Sequence, residues 1–274
     1  DFPIEVPAAA VTKSLTATSE PSTDPFEANL NQNPVVAIGE VLDYRLTYTI
    51  PEGVTANVTL IDVLPAGLAF IPGSAALDRS TVDLTSTTNP GAINGNVPGT
   101  PVAIVPVVAG NQIQVPLGNV SNADADNTTS ERYILTLSVV VSNTIQNNAG
   151  RQLRNRGRLS FEDGGGNLNL VDSSQVAVHV GEPRLSVTKT GNPLSGSAGD
   201  VITFTLVVAN TASGSNAASA FDFTVTDSLP SEYSAPVVTL IDAGATFITD
   251  GILAGDRPAE FDRVGRSETA LRAV

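Results

Sequence analysis

Three short blocks occur twice in this chain, in the same order, and each alternates apolar with polar residues. Ala10-Val11-Thr12-Lys13-Ser14 returns as Ser186-Val187-Thr188-Lys189-Thr190, and Ile38-Gly39-Glu40-Val41-Leu42-Asp43-Tyr44 as Ala198-Gly199-Asp200-Val201-Ile202-Thr203-Phe204. Val58-Thr59-Leu60-Ile61-Asp62-Val63-Leu64-Pro65 returns as Phe223-Thr224-Val225-Thr226-Asp227-Ser228-Leu229-Pro230. Side chains two apart share one face of an extended strand, so each block writes a half-buried strand, and the repetition calls for two modules. Further rows follow the same period: Leu42, Tyr44, Leu46, Tyr48 and Ile50; Tyr133, Leu135, Leu137, Val139 and Val141; Val176, Val178 and Val180. Ile202, Phe204, Leu206 and Val208, then Phe221, Phe223 and Val225, continue it in the second copy. Turn residues such as Pro51-Glu52-Gly53, Asn89-Pro90-Gly91 and Asp163-Gly164-Gly165-Gly166 separate the rows. No stretch carries a helical period, and only Glu268 to Ala273 reads as a short helical turn.

The expected fold is therefore all-β: two tandem immunoglobulin-like β-sandwich domains. The first spans 1–181 with an extended N-terminal segment. The second, 182–274, reads as an incomplete repeat, with about four strands before the charged stretch Gly255 to Val274.

Composition removes most chemistries. The chain has no Cys, Met or Trp and one His, so Cys nucleophiles, Cys-rich zinc sites and disulfides are excluded. Lys and Arg number 14 against 28 Asp and Glu, a net charge of −14 that repels phosphate backbones, so nucleic acid is not an expected partner. No apolar run reaches the length of a membrane span. The sequence opens at Asp1 without an initiator Met or a signal-like apolar run, which reads as a mature extracellular form, displayed at the cell surface. His179 has outward parity and no Gly-x-Ser-x-Gly elbow accompanies it, so no hydrolase is expected. Asn122 to Asn127 is rich in oxygen ligands but lacks the Gly and terminal Glu of a calcium loop, and reads as a polar turn. Neither an enzyme activity, a metal nor a cofactor is expected.

Parity also puts three polar residues on apolar faces. Lys13 shares a face with Val11 and Leu15, Asp62 with Val58, Leu60 and Leu64, and Asn155 with Leu153, Gly157 and Leu159. Arg154, Arg156 and Arg158 take the other side. Left unpaired in a core, each of the three would cost several kcal/mol. Two readings are open. In the first, these positions reach water at strand ends, or Lys13 and Asp62 form a simple buried ion pair. In the second, burial strips the proton from Lys13, and the neutral amine attacks the carboxamide of Asn155. A protonated Asp62 polarises that carbonyl and relays protons; ammonia leaves and a Lys13–Asn155 isopeptide bond remains. Glu40 also has inward parity and is the reserve for the acid; Asp43 points outward.

With Val11-Thr12-Lys13, Ile38 to Tyr44 running on to Tyr48-Thr49-Ile50-Pro51, and Ile61-Asp62-Val63-Leu64-Pro65-Ala66-Gly67-Leu68, the first repeat resembles the isopeptide-forming domain of bacterial fimbrial and collagen-adhesin-like surface proteins. The resemblance covers roughly residues 8–181. It implies a Lys on an early strand, an Asp on a middle one and an Asn on a late one, the order of Lys13, Asp62 and Asn155. It also implies a structural subunit of a surface fibre, stalk or adhesin. Arg156-Gly157-Arg158 after the Asn departs from the usual pattern. The second copy resembles the shorter tandem repeat of large bacterial surface proteins. Its Lys189 and Asp227 have inward parity, but no late inward Asn follows, so no bond is expected there. The alternative function is a carbohydrate- or matrix-binding module using the Asn89 to Pro101 loop region, against which the scarcity of aromatics counts. The expected partners are neighbouring copies joined head to tail, with Phe2, Ile4 and Val6 as a donated strand, or further repeats of the same chain.

Overall fold

The computed structural model describes residues 8–20, 34–88, 90–124, 130–218, 220–233, 238–240, 247–248, 257–264 and 269–273. Phe2, Ile4 and Val6 lie outside them. The chain divides into two compact units, Asp1–Val180 and Gly181–Val274. Apart from one helical turn, α1 (Pro90–Ile93), the regular structure of the described residues is strand, arranged in immunoglobulin-like sandwich layers.

In the first unit the strands are β1 (Ala10–Thr18), β2 (Val35–Ala37), β3 (Val41–Thr49), β4 (Gly53–Val63), β5 (Leu68–Phe70), β6 (Ala76–Arg79) and β7 (Leu84–Ser86). After α1 follow β8 (Val102–Ala103), β9 (Val107–Ala109), β10 (Gln112–Asn122), β11 (Arg132–Val141), β12 (Gln152–Glu162), β13 (Leu168–Asp172) and β14 (Val176–Gly181). One sheet runs β1-β3-β11-β6-β8, and the other β2-β14-β12-β4-β10-β7. The alternating rows become the facing surfaces: Leu42, Tyr44, Leu46 and Tyr48 from β3 and Tyr133, Leu135 and Val139 from β11 are fully buried against Leu60, Leu153 and Leu159 of the opposite sheet. Each such side chain stabilises the fold by roughly 1.5–3 kcal/mol. Tyr48 donates its hydroxyl across the gap to the Ile61 carbonyl at 3.0 Å, which satisfies its one polar atom.

The long connection after β7 is held from within. Arg79, only 4% exposed, donates to the carbonyls of Val82, Leu84, Asn94 and Asn96. Asp78 beside it accepts from the Asn96 side chain and the Gly99 amide. Residues 94–99, inside the loop expected as an alternative ligand region, are therefore anchored to the core by a buried guanidinium and carboxylate.

The second unit contains β15 (Leu185–Asn192), β16 (Thr203–Asn210), β17 (Ala220–Asp227), β18 (Val238–Leu240), β19 (Phe247–Ile248), β20 (Arg257–Val264) and β21 (Thr269–Ala273). They pair as β15-β16-β21-β18 and β17-β20-β19. Among the described residues five strands precede Gly255, where about four were expected, and the charged stretch Gly255 to Val274, to which no strand was assigned, holds β20 and β21. The expected turn at Glu268 to Ala273 is corrected as well: Thr269–Ala273 pairs along β16 from Val208↔Thr269 to Phe204↔Ala273. Its Ala, Leu and Arg favour a helix locally, but the ladder offered by β16 outweighs that preference.

Candidate site: a buried lysine, aspartate and asparagine

Among the described residues β1 is the edge of its sheet and pairs only with β3, Lys13 opposite Leu46. The backbone of Lys13 is thus partly exposed while its side chain is completely buried. β4 lies inside the other sheet, between β12 and β10, with Asp62 opposite Gly157. Asn155 precedes Gly157 by two residues, so it shares the inward face of β12 as a diagonal neighbour of Asp62. Asp62 and Asn155 are both 0% exposed.

The aspartate joins the other two. Its Oδ1 accepts from Lys13 Nζ at 2.5 Å, and its Oδ2 accepts from Asn155 Nδ2 at 3.4 Å. The Asn155 Oδ1 is buried with no hydrogen-bond partner among the described residues, which leaves the carboxamide carbon's oxygen available to a donor. Burial pulls the Lys13 amine down to about 8, with the Asp62 charge and hydrogen bond opposing the fall. Burial also pushes the Asp62 carboxyl up, opposed by Lys13 and by the hydrogen bonds it accepts. Both shifts run toward neutral forms. Near neutral pH the Lys13 amine is therefore neutral more often than an ordinary exposed lysine. An amine and a carboxyl that burial both pushes toward their neutral forms therefore meet an amide in one buried pocket.

Two further residues shape it. Lys13 Nζ sits 4.4 Å from the centroid of the Tyr44 ring, whose hydroxyl is itself buried beside Asn155. Gly157 clears the floor: a Cβ there would meet Leu46 Cδ2 at 2.8 Å and Val11 Cγ1 at 3.0 Å, so a larger residue would push β12 away from β1 and β3. Neither was assigned a role from sequence. The signal for Tyr44 was present, since Phe204 stands at its place in the second copy. Glu40 is not brought to the site. It caps the turn before β3, accepting from the Ala37 amide at 2.7 Å, and lies six residues before Leu46, roughly 20 Å along the strand.

In the second unit Lys189 pairs with Leu206 as Lys13 does with Leu46, and its Nζ reaches Asp227 Oδ1 at 2.6 Å and the Phe204 ring centroid at 4.4 Å. Here the side chains of Lys189 and Asp227 are 36% and 24% exposed, against 0% for both members of the first pair. Asn210 is spent on structure, accepting from Arg184 and Ala212 and donating to Ala218.

No family model matches the chain, and no curated protein does. Among solved structures it is similar to BcpA, the major pilin subunit of Bacillus cereus, at 10% identity over 93% of this chain, TM-score 0.41. It is similar to the full-length major pilin SpaD of Corynebacterium diphtheriae at 11% over 76%, TM-score 0.34. It is also similar to the T6 backbone pilin of serotype M6 Streptococcus pyogenes at 14% over 94%, TM-score 0.39. The chain spans 67%, 56% and 64% of those three chains respectively.

Proposed function

We propose that this chain is a structural subunit of a bacterial surface fibre, stalk or adhesin whose first unit closes an isopeptide bond between Lys13 and Asn155, with Asp62 as the acid. The observation that carries the reading is the meeting of these three side chains in one buried pocket, with the Asn155 carboxamide beside the Lys13–Asp62 pair. The sequence blocks of the first repeat and the tandem of sandwich units without Cys support the surface role, because such a chain has no disulfide to secure it. In the reaction, the neutral Lys13 amine attacks Asn155 Cγ while protonated Asp62 donates to Oδ1. The new Nζ–Cγ bond forms as the Cγ–Nδ2 bond breaks, and ammonia departs with the proton relayed from the amine. The step happens once per molecule and acts on the chain itself, so the protein turns over no substrate. Further repeats or neighbouring copies of the chain are its partners in this reading.

Intact-protein mass tests it. The wild-type chain is expected to weigh one ammonia less than its sequence, and Lys13→Ala and Asn155→Ala are each expected to restore the full sequence mass. A wild-type mass equal to the unmodified sequence refutes the bond.

A further inference from the structure

Asp62 touches both nitrogens of the proposed reaction, Lys13 Nζ through Oδ1 and Asn155 Nδ2 through Oδ2. The proton that passes from the attacking amine to the departing ammonia therefore has its carrier. The carboxamide oxygen has a different need. Attack at Cγ turns Asn155 Oδ1 into an oxyanion, and a charge formed in a buried pocket requires hydrogen-bond donors aimed at it. Asp62 donates to that oxygen in the same reaction, but its proton must go on to the leaving nitrogen. Oδ1 is then left to another donor.

The pocket holds one. Tyr44 is fully buried, its ring lies under Lys13 Nζ and its hydroxyl lies beside the Asn155 carboxamide, so a single side chain reaches both reactants. The Tyr44 hydroxyl and Asn155 Oδ1, a donor and an acceptor, are both buried and make no well-formed hydrogen bond among the described residues. Hydrogen bonds to reacting atoms are often long or misaligned beforehand and tighten as charge develops. Burial and the Asp62 charge hold the phenol well above its usual range, so it remains a donor near neutral pH.

Packing alone does not call for this hydroxyl. A buried hydroxyl without a partner costs stability, and Tyr48, further along β3, places its own on the Ile61 carbonyl at 3.0 Å. In the second unit Phe204 stands two residues before Leu206, as Tyr44 stands two before Leu46. Its ring centroid is 4.4 Å from Lys189 Nζ, the distance that separates Tyr44 from Lys13. Ring and lysine pack alike with or without the hydroxyl.

We infer that the Tyr44 hydroxyl is the second oxyanion donor of the proposed Lys13–Asn155 reaction, and the inference rests on that reaction. As Nζ–Cγ forms, the carbonyl electron pair moves onto Oδ1, and Tyr44 donates a hydrogen bond to it without giving up its proton. As Cγ–Nδ2 breaks, the pair returns to the carbonyl and ammonia leaves with the proton passed through Asp62. The hydroxyl ends beside the oxygen of the new amide.

The test is the full chain made by cell-free translation, which is then halted and sampled over time by intact mass, because every chain starts without the bond. Tyr44→Phe is expected to lose ammonia roughly 100-fold more slowly than wild type. Tyr133→Phe removes another buried, unpartnered hydroxyl, one that faces Arg79 instead, and is expected to bond at the wild-type rate. In an Asn155→Ala chain, where no bond forms, Tyr44→Phe should leave the thermal midpoint unlowered. Wild-type bonding by Tyr44→Phe, equal slowing by Tyr133→Phe, or a midpoint lowered by several degrees overturns the inference. A wild-type chain that keeps its full mass refutes the bond itself and the inference with it. A wild-type chain that loses ammonia no faster than Tyr44→Phe refutes the role of the hydroxyl alone.

Discussion

Replacing Asn155 by Ala removes the acceptor while leaving Lys13 and Asp62 in place, and its effect on stability depends on pH in a way that a merely packed core would not show. The proposed Lys13–Asn155 bond would close a loop of about 140 residues, which by loop-closure entropy would stabilise the fold by roughly 5 kcal/mol, less any strain. That contribution does not vary with pH, because an amide nitrogen does not titrate. In the variant Lys13 remains an amine that loses its proton at about 8 when folded and near 10.5 when unfolded. Between those values the unfolded chain binds more protons than the folded one, so stability rises with pH. Below pH 8 both states are protonated and the folded state bears the whole cost of the buried charge. By pH 10.5 that cost, about 3 kcal/mol for a shift of this size, has been relieved. Urea unfolding at pH 7, 8, 9 and 10.5 measures both effects. The variant should be weaker by about 8 kcal/mol at pH 7, where the lost bond and the buried charge add, and by about 5 kcal/mol at pH 10.5, where only the lost bond remains. Parallel curves for the two proteins across that range would refute the reasoning, since they would mean that Lys13 titrates alike in both.

Gly157→Ala forces a methyl against Leu46 and Val11, and thermal unfolding should show a loss of about 1–3 kcal/mol with the ammonia deficit reduced as β12 moves away from β1. Arg79→Ala leaves four carbonyls without their buried donor, and should cost about 2–4 kcal/mol while exposing the amide of Gly99 to hydrogen exchange.

Much of the first unit was legible because its strands write a period of two over nine or more residues, and burial follows that period in β3 and β11 residue by residue. Parity likewise placed Lys13, Asp62 and Asn155 on apolar faces, which is local information. That the three meet depends on how β1 stacks over β12 and on the glycine that lets it come close, and no single strand records a distance to the opposite sheet. Glu40 shows the limit from the other side: it is inward and buried, as its parity indicates, yet it serves a turn six residues from the site. β21 was misread because Thr269–Ala273 is short and made of helix-favouring residues, and its strand character comes from β16, about 60 residues earlier in the chain. The pinning of residues 94–99 by Arg79 was invisible for a related reason, since a buried arginine looks in sequence like any other exposed one.

An edge strand such as β1 has hydrogen bonds on one side only, so it is the element that an outward tug would peel first, unzipping it from β3 one pair at a time. Lys13 lies three residues into that zipper. Joined to Asn155 as proposed, it would act as a rivet through the seam: peeling that starts at Ala10 would halt after Thr12, and peeling that starts at Thr18 would halt at Ser14, so neither end could release the other.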